Sequence, residues 1–116
     1  MKKINILKES REFNRIINSN RPYKYKDYII YLEKDTKKIF KFGISVGKKI
    51  GNAVARNKIK RQIKSILDEK YYQNGFNCII IVSKGINGKN FKEKRENLLV
   101  ALNNLNIMKE NDDEKQ

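Results

Sequence analysis

Between Gly43 and Leu67 the chain reads GISVGKKIGNAVARNKIKRQIKSIL, and this stretch limits the possible folds more than any other. A short apolar alternation is followed by a turn with two glycines and two lysines, then by a basic amphipathic run. A strand must therefore hand over to a helix within a few residues. No Asp or Glu interrupts the stretch. From Thr36 to Leu67 ten residues are basic (Lys37, Lys38, Lys41, Lys48, Lys49, Arg56, Lys58, Lys60, Arg61 and Lys64) and none is acidic. A one-signed surface on a folded element calls for a polyanion to neutralise it.

At 116 residues the chain is one domain, expected over residues 1–108, with a charged and disordered tail over 109–116. A hydrophobic content of 39% suffices for a modest core. The formal net charge of +14 makes nucleic acid the first reading and an anionic membrane surface the second. The single Cys78 sits in the apolar run CIIIV and reads as a buried strand residue. With no His and no second Cys, zinc fingers and zinc knuckles are excluded. No apolar run reaches spanning length, and the start MKKINILKESRE meets acids before any adequate apolar segment, so neither a membrane span nor a secretory signal is expected. A reducing cytoplasm fits.

Phe13, Ile16 and Ile17 at helical spacing predict a first helix over residues 9–18, stopped by Asn18, Asn20 and Pro22. Tyr25 to Leu32 predicts a strand, Glu33 to Lys38 a polar turn, and Ile39 to Val46 an alternating strand, the two strands pairing as an antiparallel hairpin. After the loop Gly47–Gly51, Asn52 is a suitable N-cap for a helix running to about Tyr72. Its core stripe is Ile59, Ile63, Ile66, Leu67 and Tyr71. Asn77 to Ser83 is continuously apolar, which suits a central strand. Phe91 to Leu105 predicts a last helix with Phe91, Leu98, Leu99, Leu102 and Leu105 inward. The sum is a small α+β sandwich with helices on one sheet.

On a helical wheel Lys60, Lys64, Asn57 and Arg61 follow one flank of the apolar stripe. Arg56 lies nearer the core side, and Lys58 sits on the opposite flank. Asn57 can hydrogen-bond phosphate, ribose or a base edge while its cationic neighbours supply the Coulomb attraction. The helix start favours a phosphate, and Lys48, Lys49 and Gly51 lie just before it. The rival reading is a solvated basic face without a ligand. Single-stranded nucleic acid also needs an aromatic or apolar platform. Tyr23, Tyr25, Tyr28 and Tyr31 crowd the first strand region, with Tyr25 and Tyr31 sharing strand parity. Phe13, Ile17 and Tyr31 suit a groove beside the long helix; the rival reading is core, which the pattern favours for Ile17 and balances evenly for Phe13 and Tyr31.

No catalytic constellation is visible. The usual acid–base residue, His, is absent, Ser45 and Ser83 have no His neighbour, and the carboxylates gather at Asp68-Glu69 and in the tail. An RNA-binding module, such as a ribosomal protein, and a free-standing nuclease are the competing classes.

SVGKKIGNAVARNKIKRQIK, residues 45–64, closely resembles the signature of the bacterial ribonuclease P protein subunits: a Ser-Val-like pair ending a strand, a Lys-Lys-(Val/Ile)-Gly-Asn-Ala-Val turn, and Arg-Asn-Arg-x-Lys-Arg on the helix. Glu12-Phe13 and the IIIV run before Lys84 agree as well. Lys58 stands where Arg is usual and Lys64 where it is frequent, which turns forked contacts into point charges. The tail is acidic where many members are basic. The resemblance implies an α-β-β-β-α-β-α sandwich on a mostly antiparallel four-stranded sheet, with a short strand near Arg21 to Tyr25 and a left-handed βαβ crossover. It implies the accessory subunit of an endoribonuclease whose RNA subunit hydrolyses the phosphodiester with Mg²⁺, the metal being held mainly by RNA and substrate and not by the protein alone. The implied partners are ribonuclease P RNA and precursor tRNA, with neither membrane nor small-molecule substrate. Lys48 and Lys49 in the turn, with Arg56, Asn57, Lys58, Lys60, Arg61 and Lys64, would face the catalytic RNA. Phe13, Ile17, Tyr31 and Ser45 would line a groove for the 5′ leader, with Lys64 at its side.

Overall fold

Helix α1 (Ser10–Ser19) is followed by strands β1 (Pro22–Tyr25), β2 (Tyr28–Lys34) and β3 (Phe40–Val46), helix α2 (Ala53–Leu67), strand β4 (Phe76–Val82) and helix α3 (Phe91–Asn104). The computed structural model describes residues 1–35 and 37–109. The expected tail therefore lies, apart from Lys109, outside the described residues.

The four strands form one sheet in the order β1-β2-β4-β3. β1 with β2 and β2 with β4 are antiparallel, and β3 with β4 is parallel. The expected hairpin between the second and third strands is thus replaced by two flanks of β4. The segment joining β2 to β3 passes over the start of β4: Asp35 N–H donates to Gly75 O and Gly75 N–H to Ile39 O, both at 2.9 Å. β4 demands this place, since every residue but Ile81 is buried and its backbone needs partners on both edges. The 15-residue α2 supplies the crossover that a parallel pair requires.

The predicted strand Tyr25–Leu32 is two strands. A tight turn at Lys26 (φ 52°) and Asp27 folds β1 onto β2, with Tyr25 opposite Tyr28. The turn resets the parity, so Tyr25 packs with Tyr28 against the larger core while Tyr31 faces the other side.

Helices occupy both faces of the sheet. Ile59, Ile63, Ile66 and Leu67 of α2 join Leu98, Ala101 and Leu102 of α3 over Tyr28, Ile30, Phe42, Cys78 and Ile80. An aromatic group of Phe40, Phe42, Tyr72 and Phe76 fills one end, with centroids between 4.8 and 6.5 Å apart. On the opposite face α1 sets Ile16 over Ile79 beside Leu7. Two expected core positions fall outside. Helix α2 ends at Leu67, so Tyr71 leaves the helical stripe and is 56% exposed, and Tyr72 turns inward to donate its hydroxyl to Leu67 O at 2.7 Å. Phe91 begins α3, whose first buried residue is Leu98, and is 41% exposed.

Candidate nucleic-acid interface

The basic helix is anchored at its start. Asn52 accepts a hydrogen bond from the Ala55 N–H at 2.9 Å, the N-cap read from the sequence. Ahead of it Ile50 is buried in the short 3-10 turn Lys48–Ile50. Gly51 holds φ 155° and ψ −164°, a region open essentially to glycine, and a Cβ there would meet Ala55 Cβ at 3.1 Å. The turn thereby presents Lys48 and Lys49 to solvent beside the positive end of α2.

Burial of Ile59, Ile63, Ile66 and Leu67 forces the polar flanks outward. Asn57, Lys58, Arg61 and Lys64 are exposed, while Lys60 and Arg56 are half-buried. Arg56 lies nearer the core, as the wheel indicates, and its Nε is shut off from solvent without a hydrogen-bond partner among the described residues. Among the described residues no carboxylate pairs with any of these cations within 4.0 Å. Their charge is therefore available to an external anion.

Beside α2 lies a cleft of about 470 Å³, lined by Lys60 and Lys64 on one wall and by Leu7, Phe13 and Ile44 among its apolar residues. Phe13 reaches it because Gly43 lets the ring approach: a Cβ on Gly43 would stand 2.5 Å from Phe13 Cζ. Ile17 and Tyr31 pack with Phe13 on the α1 face, both half-buried, and Ser45 sits on that face opposite Ile81. Of the four groove residues only Phe13 lines the cleft with Lys60 and Lys64, and the others lie farther over the same sheet face. Tyr23 and Tyr25 pack on the other side, and Tyr28 is fully buried there, donating its hydroxyl to Lys94 O at 2.9 Å.

Two parts of the site escaped the sequence reading. Leu7 enters the cleft because Ile6 bridges to Phe42 and the Leu7 N–H donates to Phe42 O at 2.8 Å, adding a bridge to the outer edge of β3. The apolar run INIL was its only signal. The second part is an ion network at the far end of the α1 face. Arg15 donates to both oxygens of Glu33 at 2.7 and 3.0 Å and to Glu12 at 2.8 Å, and Asn77 donates to Glu33 at 2.9 Å. Hydrogen bonds from Arg15 hold the Glu33 and Glu12 carboxyls below the usual carboxylate range. The acids nearest α2 lie just past its last turn, where Asp68 lines the cleft and pairs with the Met1 amine at 2.7 Å and Glu69 pairs with Arg95.

Among the described residues no three carboxylate, Cys or His groups converge to hold a metal ion. Among the described residues no helix is long and apolar enough to cross a membrane.

The family model for ribonuclease P matches residues 1–106. This chain belongs to the ribonuclease P protein family. A ribonuclease P protein component from Streptococcus gordonii is 40% identical over 112 residues, covering 95% of this chain and 93% of its own. One from Mycoplasma mycoides is 44% identical over 89 residues, covering 74% and 82%. Among solved structures, the ribonuclease P protein of Staphylococcus aureus superposes with a TM-score of 0.82 at 25% identity, covering 90% of this chain and 98% of its own. That of Thermotoga maritima gives 0.73 at 26% identity, covering 80% and 90%. The α+β architecture and the family read from residues 45–64 both stand, and a role within an endoribonuclease assembly follows from the membership.

Proposed function

We propose that this chain is the protein subunit of a ribonuclease P particle that binds the catalytic RNA and the 5′ leader of precursor tRNA, so that the leader is removed to give the mature 5′ end. The observation that carries the reading is the cleft: an apolar platform with Phe13 sits directly against Lys60 and Lys64 of a helix free of acids. Such a pairing of stacking surface and cations suits an unpaired strand.

In this reading Lys48, Lys49, Arg56, Asn57, Lys58 and Arg61 contact the backbone of the catalytic RNA. Each lysine or arginine that neutralises a phosphate releases about one counterion, which makes binding steeply salt-dependent. Phe13 stacks on a leader base, worth about 1–3 kcal/mol, and Ile17, Tyr31 and Ser45 extend the apolar floor. Lys60 and Lys64 hold the leader phosphates. Arg56, desolvated at its Nε, gains a partner when an anion arrives. Mg²⁺ supplies Lewis-acid chemistry from the RNA and substrate, and no protein residue takes a covalent part, in keeping with the absence of His. The work would take place in the cytoplasm, with tRNA precursors as substrate.

Reconstitution with a bacterial ribonuclease P RNA at low Mg²⁺ tests this. Stimulated cleavage of precursor tRNA, and tighter binding of leader-bearing than leaderless tRNA by the assembled particle, are expected. No stimulation and equal binding would sink the reading. Cleavage by the protein without RNA would assign the chain to the nucleases instead.

A further inference from the structure

The chain is strongly basic, yet ENDDE at residues 110–114 brings Glu110, Asp112, Asp113 and Glu114 together. These residues follow Lys109, the last described one, and the fold sets the direction in which the chain leaves. Met108 bridges antiparallel to Tyr72. Gln73 N–H donates to Ile107 O at 2.9 Å, and Lys109 N–H donates to Tyr71 O at 2.8 Å. Going from Ile107 to Lys109 therefore means going back from Gln73 to Tyr71, toward the end of α2. That end is close, because Lys70 N–H donates to Leu67 O at 3.3 Å and the chain between them is a tight turn.

A hollow of about 540 Å³ lies at this exit, lined by Lys2, Lys70 and Tyr72 among others. It adjoins the cleft of Phe13, Lys60 and Lys64, since Met1, Leu67 and Asp68 line both. Lys70, Lys64 and Lys60 thus mark a basic path from the exit into the cleft. Lys64 stands in the last turn of α2, and Lys60 about 6 Å further along the axis. Asp68, the acid on the way, is engaged by the Met1 amine at 2.7 Å. Among the described residues no carboxylate pairs with Lys2, Lys60, Lys64 or Lys70 within 4.0 Å. An extended chain covers about 3.3–3.6 Å per residue, which gives Asp112 and Asp113 about 10–14 Å of reach past Lys109. Lys64, within one helical turn of the helix end, falls inside that reach.

We propose that the acidic segment 110–114 occupies the Lys60 and Lys64 side of the cleft in the free protein, standing in for the phosphates of an RNA strand, and is displaced when RNA binds. Charge complementarity selects this occupant: successive carboxylates offer the lysines the partner that successive phosphates offer. The segment brings no base for Phe13, whereas an RNA strand brings charge and stacking together and so wins the site. A ligand held by charge alone has no such advantage, and the guard therefore raises discrimination against it. A short tether keeps the segment at an effective concentration of about 1 mM, so a weak ionic contact suffices to cover the cleft for most of the time. Apparent RNA affinity then falls by the uncovered fraction. The inference rests on the functional reading above and adds a regulating contact to the same cleft.

The test uses the full chain and a single-stranded RNA oligonucleotide of leader length. Glu110→Gln/Asp112→Asn/Asp113→Asn/Glu114→Gln should bind the oligonucleotide about three- to tenfold more tightly than the wild type at about 50 mM salt. The gain should shrink at about 200 mM salt, where charges are screened over a shorter distance. The same four substitutions in a Lys60→Ala/Lys64→Ala background should give no gain, because the segment has lost its seat. Should that background melt early, Lys60→Gln/Lys64→Gln keeps the stems and is read in the same way. Without RNA, the backbone amide resonances of Ile44, Lys60 and Lys64 should differ between the wild type and the neutralised variant at low salt. Equal affinity of these two proteins, or a gain that persists without Lys60 and Lys64 and so reflects net charge alone, overturns the guard. Failure of both proteins to bind the oligonucleotide at about 50 mM salt, where phosphate contacts are strong, would overturn the functional reading instead.

Discussion

The two faces of the sheet are built from the same strands and end differently. Toward α2 and α3, Tyr28, Ile30, Phe42, Cys78 and Ile80 are at most 2% exposed. Toward α1, among the described hydrophobic residues, only Leu7, Ile16 and Ile79 are buried, and Phe13, Ile17, Tyr31 and Ile81 stay half-exposed. The difference is one of cover. Two helices of 14 and 15 residues close the first face, and one of 10 residues crosses the second. Apolar side chains that a single helix cannot hide remain available to a ligand. The first face supplies stability, and the second trades part of its burial for a binding surface.

Truncation on each face tests that contrast most strongly. Ile63, fully buried in α2, should lose about 2–5 kcal/mol as Ile63→Ala in urea unfolding, through lost transfer energy and the cavity left behind. Ile17→Ala on the α1 face should lose distinctly less, because its side chain already meets solvent. Equal losses would make the α1 face an ordinary core and remove the argument for a groove there.

The close approach of α1 to β3 sharpens the comparison at one atom. In Gly43→Ala the new Cβ would lie 2.5 Å from Phe13 Cζ and 3.0 Å from Cε1, so the ring must move. Overpacking of this kind destabilises by about 1–3 kcal/mol. If the ring also serves as a platform, a leader-length oligonucleotide should bind more weakly to the folded variant. Loss of stability with oligonucleotide affinity unchanged would reduce Phe13 to packing.

What the sequence could carry follows the same division. The α2 stripe, the Asn52 cap and the apolar run of β4 were legible because helical period, N-cap chemistry and two-sided burial are local signals. Pairing partners were not. The alternation of β2 and β3 reports one buried face each but says nothing of which edge accepts a neighbour, so the central place read for β4 did not reveal that it separates them. The parity shared by Tyr25 and Tyr31 failed for a similar reason: Lys26 adopts a positive φ that its residue type does not announce, and the chain reverses there. The basic residues of α2 were found, but their division into a groove flank and an α3 flank depends on where α3 packs. Leu7 was missed because a short apolar run gains meaning only from the β3 edge it lies along.

The smallest expected effect concerns how the α1 face closes at its far end, by charge and not by apolar burial. Glu33 aligns with Asn77 across β2 and β4, and Arg15 of α1 reaches down to it. The Arg15 hydrogen bonds lower the carboxyl below its unfolded value, so the ionised form favours the folded state. That contribution is complete above the ordinary carboxylate range, near about pH 4.3, and is lost as the pH falls through the lower folded value. Glu33→Gln removes the titration while keeping an acceptor for Asn77. The variant should show a flatter decline of stability on the acid side than the wild type, and the two curves should differ most near neutrality. The gap should be modest and shrink with added salt, because Arg15 is 46% exposed and the pair is screened. Parallel curves would mean that Arg15 and Glu33 hold α1 no better than solvent does, leaving Ile16 and Leu7 to seat the helix alone.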